Sequence, residues 1–85
     1  MTHLFAEGEP LETWGAEVMP DGFIWKNAPH HILEVANRWR VHTRWWEPRE
    51  TIWREYVKVV TDTGLLCLIY RDMQEGGWFL SRLYD

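Results

Sequence analysis

Hydrophobic and polar residues alternate along much of the chain with the two-residue period of β-strands. The alternation is clearest in residues 52–61, where Trp53, Val57 and Val59 fall on one face and Arg54, Tyr56 and Lys58 on the other. Residues 65–70 are apolar on both faces, which predicts that the strand 65–71 is the most buried of the sheet. Residues 78–84 follow a Gly-Gly turn and predict the last strand.

Short turn sequences separate these segments at residues 26–29, 62–64 and 72–77. Gly64 can adopt positive φ, so the strands on either side of its turn are expected to pair antiparallel. No segment has the caps and length of a confident helix. Five or six short strands joined by such turns predict an all-β fold, an antiparallel meander that curls into a small, partly open barrel.

The stretch from residue 30 to residue 45 fits two periods. Ile32, Val35, Ala36 and Trp39 have the spacing of one helical face, whereas residues 37–45 alternate as in a strand. β-Branched and aromatic residues favour a strand for 37–45. Residues 30–36 are either a helical turn or a bulged strand, and we leave both alternatives open.

The chain has 85 residues, which predicts a single domain. We expect an acidic, irregular N-terminal segment at 1–22 and a β-sheet core at 23–85. The formal net charge of −4 is unevenly distributed, with −5 in residues 1–25, +3 in 26–58 and −2 in 59–85. The charge of each segment therefore tells more about possible binding partners than the net charge of the whole chain.

Cys67 is the only cysteine, so the sequence predicts no intrachain disulfide, as is usual in reducing compartments. The N-terminus lacks the basic and apolar regions of a signal peptide, and no apolar run approaches the ~20 residues that span a bilayer. We therefore expect a cytoplasmic protein without membrane contact.

Residues for catalysis or metal binding do not form a recognisable pattern. His30 and His31 are adjacent, so on a strand they face opposite sides and cannot chelate one metal. Cys67 lies among leucines, where a thiol is usually inert. We expect a protein that is not an enzyme, with no catalytic residues, no metal site and no cofactor.

Basic and aromatic residues on strands 37–45 and 52–61 are the best candidates for a binding surface. If the two strands pair, their basic rows could line one surface, where Lys and Arg attract phosphates and exposed rings stack on unpaired bases. Trp39, Trp53 and Trp78 are expected in the core, while one of the adjacent Trp45 and Trp46 must point outward. The predicted nucleic-acid-binding residues are Arg38, Arg40, Arg44, Trp46, Arg54, Tyr56 and Lys58. The alternative is a solvated sheet face in which these bases pair with Glu34, Glu47, Glu50 and Glu55.

Several motifs resemble a known family. They are Phe23-Ile24-Trp25, Arg38-Trp39-Arg40 with Arg44-Trp45-Trp46, Leu65 to Tyr70 with Asp72, Gly77-Trp78-Phe79-Leu80 and Arg82-Leu83-Tyr84-Asp85. Over residues 23–85 the chain resembles a small, Trp-rich, uncharacterised bacterial domain that occurs alone or as the C-terminal tail of ImuB-type relatives of Y-family translesion polymerases.

This resemblance implies a context of DNA damage tolerance and a domain that binds single-stranded DNA or a repair protein. It transfers no catalytic residue, and the acidic segment 1–22 is a departure from the family pattern. The sequence thus predicts a non-enzymatic accessory module for nucleic acid or a repair complex. The alternative function is protein–protein interaction or weak homo-oligomerisation, in which the acidic segment and an exposed tryptophan form the contact.

Overall fold

The computed structural model describes residues 2–43, 46 and 51–84, with residues 2–7 described by their backbone alone. Six antiparallel strands form one sheet that closes into a barrel in chain order. The strands are β1 (Thr2–Gly15), β2 (Pro20–Trp25), β3 (Ala28–Thr43), β4 (Ile52–Thr61), β5 (Leu66–Asp72) and β6 (Trp78–Tyr84). The described residues contain no helix, and the predicted all-β meander and small barrel are confirmed. The barrel is closed rather than partly open, because β1 pairs with both β6 and β2.

Strand β1 completes the ring. Its first part pairs with β6, from Thr2 opposite Tyr84 to Leu11 opposite Trp78, and its last part pairs with β2. The prediction that residues 1–22 are irregular is therefore wrong for the described residues. Glycine, proline and acidic residues hide the strand period in this segment, but backbone pairing with two neighbouring strands does not require a β-prone sequence.

Two bulges bend β3. Its register against β4 skips Leu33, between Ile32 and Glu34, and skips Ala36, between Val35 and Asn37. Each bulge places two residues opposite one and shifts the alternation of side chains by one position. Residues 30–36 are thus a bulged strand, which was one of the two alternatives that the sequence left open.

The core lies inside the barrel and is built mainly from β4, β5 and β6. Its buried members are Phe23, Val57, Val59, Cys67, Ile69, Trp78 and Leu80. Residues 67–70 are all buried, which confirms β5 as the most buried strand. Burial raises the pKa of the Cys67 thiol to about 12, so the thiol stays protonated at neutral pH.

The three tryptophans predicted in the core divide between two environments. Trp78 is buried, and its indole N–H donates a hydrogen bond of 2.9 Å to the carbonyl oxygen of Glu17. Trp39 and Trp53 are each 38% exposed, so their assignment to the core is wrong. Trp39 points to the outer face of the sheet, beside Tyr56. Trp53 points to the inner face, but near the β3–β4 connection, beyond the enclosed core.

No helix in the described part of the chain is long and apolar enough to cross a membrane.

Candidate nucleic-acid interface

A row of four aromatic rings crosses the outer face of β3, β4, β5 and β6, on the side opposite the core. The rings are Trp39, Tyr56, Tyr70 and Phe79, and neighbouring ring centroids are 5.6, 5.3 and 5.1 Å apart. Each neighbouring pair occupies directly opposed positions in the sheet register. The row, which we call the aromatic row, is therefore a product of cross-strand pairing, in which opposed side chains on one face come into contact.

Exposure differs along the aromatic row. Tyr70 is buried, with the end of its ring against the backbone of Gly8 in β1. Trp39 keeps over a third of its surface in water, and Tyr56 and Phe79 are half-buried. Trp39 and Tyr56 stack with only 11° between their ring planes. The row thus combines a buried support with accessible rings at its β3 end, as a stacking platform requires.

Cationic side chains lie on the same face as the aromatic row. The Arg54 guanidinium lies 4.3 Å from the Tyr70 ring centroid and donates a hydrogen bond of 3.1 Å to the Tyr56 hydroxyl. The Lys58 ammonium lies 4.8 Å from the centroid of Tyr84. Cation–π contacts hold these groups against the sheet without neutralising their charge. The face therefore offers positive charge next to ring surface.

Arg38 and Arg40 lie on the opposite face of the β3–β4 hairpin, where both bind Glu55. The two guanidiniums are 2.7 and 3.1 Å from the Glu55 carboxylate, which is only 3% exposed. The hydrogen bond from Arg38, supported by Arg40, outweighs desolvation and holds the pKa of Glu55 below its usual value. The basic rows of β3 and β4 therefore do not share one surface, because the strand register places Arg38 opposite Val57 and Arg40 opposite Glu55, both inner positions of β4.

The other two predicted site residues lie in the connection between β3 and β4. Trp46 is 66% exposed, in agreement with the expectation that one ring of the Trp45–Trp46 pair points outward. Arg44 and Trp45 lie outside the described residues. The structure thus brings together Arg54, Tyr56 and Lys58 of the predicted site.

Sequence reasoning missed several residues on this face. Trp39 was assigned to the core, and Tyr70, Phe79, Arg82 and Tyr84 were not considered as site residues. The signal that could have found Tyr70 is the hairpin register, because Tyr56 and Tyr70 each lie six residues from the turn at residues 62–64. Counting outward from that turn pairs the aromatic residues of β4 and β5 across the sheet.

Several exposed acids lie away from the cations of the outer face, although Asp72 opposes Arg54 in the β4–β5 register and Glu34 is an exposed acid of β3. The exposed acids Glu9, Glu12, Glu17 and Asp21 lie on β1, β2 and the turn between them. The cations of the outer face lie on β4 and β6. A polyanion approaching the aromatic row therefore meets local positive charge, although the whole chain is negative.

Within the described ranges, no group of three or more His, Cys, Asp or Glu side chains could hold a metal ion. His30 is buried and its Nδ1 lies 2.5 Å from the Thr63 hydroxyl. His31 is exposed, with its ring edge-on to Trp14 at 5.1 Å between centroids. The adjacent histidines thus point to different surroundings, as expected for neighbours on a strand.

Comparison with known proteins identifies the family to which the chain belongs. A family model described as "Domain of unknown function (DUF6504)" matches residues 3–85. No curated protein and no solved structure matches the chain. Because the family model covers nearly the whole sequence, the chain belongs to the DUF6504 family.

Proposed function

We propose that this protein is a non-enzymatic module that binds single-stranded nucleic acid across the outer face of β3–β6. The observation that carries the proposal is the aromatic row, with Trp39 accessible at one end and the Arg54 guanidinium 4.3 Å from the Tyr70 ring centroid. Unpaired bases would stack on the accessible rings, and Arg54 and Lys58 would contact the phosphates between them. Base stacking tolerates any sequence, so we expect little sequence preference.

The biological context that we propose is DNA damage tolerance in the bacterial cytoplasm. Support comes from the resemblance of Arg38-Trp39-Arg40 and the motifs around it to the tails of ImuB-type polymerase relatives. In this context the module would hold single-stranded DNA for a repair complex. The proposed binding needs neither a cofactor nor a catalytic residue.

Titration with single-stranded DNA at low salt is expected to change the tryptophan fluorescence of the full chain. Trp39→Ala should weaken binding about tenfold, because one stacked base is worth ~1–3 kcal/mol. Lys58→Gln should weaken binding and reduce the slope of log affinity against log salt by about one, since one phosphate contact is lost.

Matched controls for both variants exist in the chain. Trp53 has the same exposed fraction as Trp39 but lies on the opposite face, stacked on His42. Lys26 also lies 4.8 Å from a ring centroid, that of Trp25, but in the β2–β3 turn. Trp53→Ala and Lys26→Gln should leave binding unchanged. The proposal would be refuted if the site and control variants lost equal affinity for single-stranded DNA. It would also be refuted if high micromolar DNA gave no fluorescence change.

A second candidate function is contact between protein molecules, favoured by the exposed hydrophobic side chains of the β3–β4 hairpin. Leu33, at a bulge, is 69% exposed, and Val35, Ile52 and Trp46 are also exposed. Exposed hydrophobic side chains that form a contiguous patch are typical of interaction surfaces, and Leu33 and Val35 lie two positions apart on β3. Self-association through them predicts a light-scattering mass that rises with concentration and falls back in Leu33→Lys. A constant monomer mass would count against this candidate.

A further inference from the structure

Most of strand β3 has one open edge. Strand β2 pairs with β3 only from Ala28 to His31, whereas β4 pairs with it from Ile32 to Thr43. In the described part of the chain, no strand pairs with the other edge of β3 beyond His31. Such an edge presents a row of backbone donors and acceptors that another extended segment can use.

One hydrogen bond identifies which residues present their backbone at this edge. The N–H of Arg38 donates a hydrogen bond of 2.8 Å to the side-chain oxygen of Asn37, its own neighbour. The Arg38 N–H therefore points away from β4, towards the open edge. In an antiparallel ladder, alternate residues direct their backbone groups to the same side. Arg40 and His42 accordingly direct their N–H groups to the open edge.

The side chains at these positions are accessible, and that of Arg40 is cationic. Arg40 is 67% exposed although it binds Glu55, and His42 is exposed beside Trp53. Two guanidiniums share the single Glu55 carboxylate, so the cluster retains a positive charge. A carboxylate on a strand added at this edge would lie opposite these side chains, within the ~4.5–5.5 Å Cβ separation of cross-strand pairs.

The same charges disfavour a second copy of this chain as the occupant. Antiparallel self-pairing centred on Trp39 would place Arg38 of one copy opposite Arg40 of the other, and Arg40 opposite Arg38. Like charges in directly opposed positions destabilise a strand pair. Basic residues on an exposed edge are also a common protection against edge-to-edge aggregation. The charges on this edge thus disfavour pairing with a second copy of the chain and favour an acidic partner.

We propose that residues 38–43 of β3 bind an extended, acidic segment of a partner protein, which adds a strand to the open edge. Acidic side chains of the segment alternate with apolar ones, so that carboxylates meet Arg38 and Arg40 while apolar residues lie beside Trp39 and Val41. This interaction goes beyond nucleic-acid binding and does not depend on it. It uses backbone groups of the edge and cations of the inner face, and it shares only Trp39 with the proposed nucleic-acid site.

The test uses a capped heptapeptide of alternating glutamate and valine, titrated into the full ¹⁵N-labelled chain. We expect saturable binding, with the largest amide shifts at Arg40 and His42. A matched lysine–valine peptide should bind at least about tenfold more weakly, because its charges are reversed. A glutamate–valine peptide methylated on alternate backbone nitrogens should lose binding, because it cannot complete the ladder. Arg40→Gln should weaken binding several-fold, and Lys26→Gln should not.

Several outcomes would overturn the proposal. They are no binding at millimolar peptide, equal binding of the lysine–valine peptide, and shifts confined to residues away from β3. A concentration-dependent dimer that gives the same shifts without peptide would make a second copy the occupant. An oligonucleotide that shifts Arg40 and His42 would instead make the edge a phosphate site. Failure of nucleic-acid binding is distinguishable, because that interaction predicts shifts at Tyr56 and Lys58.

Discussion

Replacing Gly22 with alanine is expected to lower the free energy of unfolding by about 3 kcal/mol, the upper part of the usual range for overpacking. A Cβ atom at this position would overlap the Trp14 ring and lie 2.5 Å from the carbonyl oxygen of His30. That oxygen belongs to the backbone of β3, next to the point where Gly22 opposes His31 in the β2–β3 register. The barrel can relieve the overlap only by separating two paired strands.

The measurement is chemical denaturation followed by tryptophan fluorescence, with Gly64→Ala as the matched control. Gly64 has a φ of +88°, but a Cβ there would meet nothing within 4 Å. Its replacement should therefore cost only the conformational strain of a left-handed alanine, about 1 kcal/mol. Equal destabilisation by the two substitutions would contradict the argument that close packing makes glycine necessary at position 22.

Replacing Glu55 with glutamine is expected to cost about 2 kcal/mol at neutral pH, the range for hydrogen bonds to charged groups. The substitution removes the carboxylate that Arg38 and Arg40 share on the inner face. Both arginines retain access to water, so their charges can be solvated after the loss. The loss of stability therefore stays below the ~3–5 kcal/mol expected when removing one member of an ion pair leaves the other charge buried and unpaired.

The Glu55 contribution also predicts a dependence of stability on pH. The pKa of Glu55 is lowered in the folded state, first by the hydrogen bond from Arg38, from a reference value of 4.5. The stabilisation is therefore fully present above pH 4.5 and is lost as the pH falls through the folded-state pKa. The difference in unfolding free energy between the wild type and Glu55→Gln should shrink over that interval.

Denaturation curves of both proteins at neutral pH and at successive values below pH 4.5 measure this difference. Glu12→Gln is the control, because Glu12 is an exposed acid of β1. Its replacement should change stability by no more than ~0.5 kcal/mol. A Glu55→Gln variant as stable as the wild type would show that the two arginines do not depend on this carboxylate.

The fold class and several strand boundaries could be predicted from the sequence because local signals agreed with one another. The bounds 52–61 and 78–84 match β4 and β6, where side-chain alternation and flanking turn residues point to the same structure. The turn predicted at residues 26–29 contains Lys26 and Asn27 with positive φ, as a two-residue hairpin of the type I′ class requires.

The candidate site was predicted only in part, because its assembly depends on contacts between distant residues. Arg54, Tyr56 and Lys58 share a face because they alternate on one strand, and the sequence is sufficient for that conclusion. The position of Arg40 depends on Glu55, 15 residues away, and no pattern along either strand reveals that the carboxylate is buried. The Trp39 contact with Tyr56 likewise depends on the register of two strands.

By itself, the sequence determined the number and order of most strands, the turns between them and the buried character of β5, since these follow from alternation and turn chemistry. Only the tertiary structure decided that β1 closes the ring, that two bulges bend β3 and that the β3–β4 register places Arg38 and Arg40 beside Glu55 on the inner side. The physical reason is that a bulge or a shifted register exchanges the two faces of a strand at little local cost. Packing of the whole barrel then selects which face is outside, and here it leaves Trp39 beside Tyr56 on the surface.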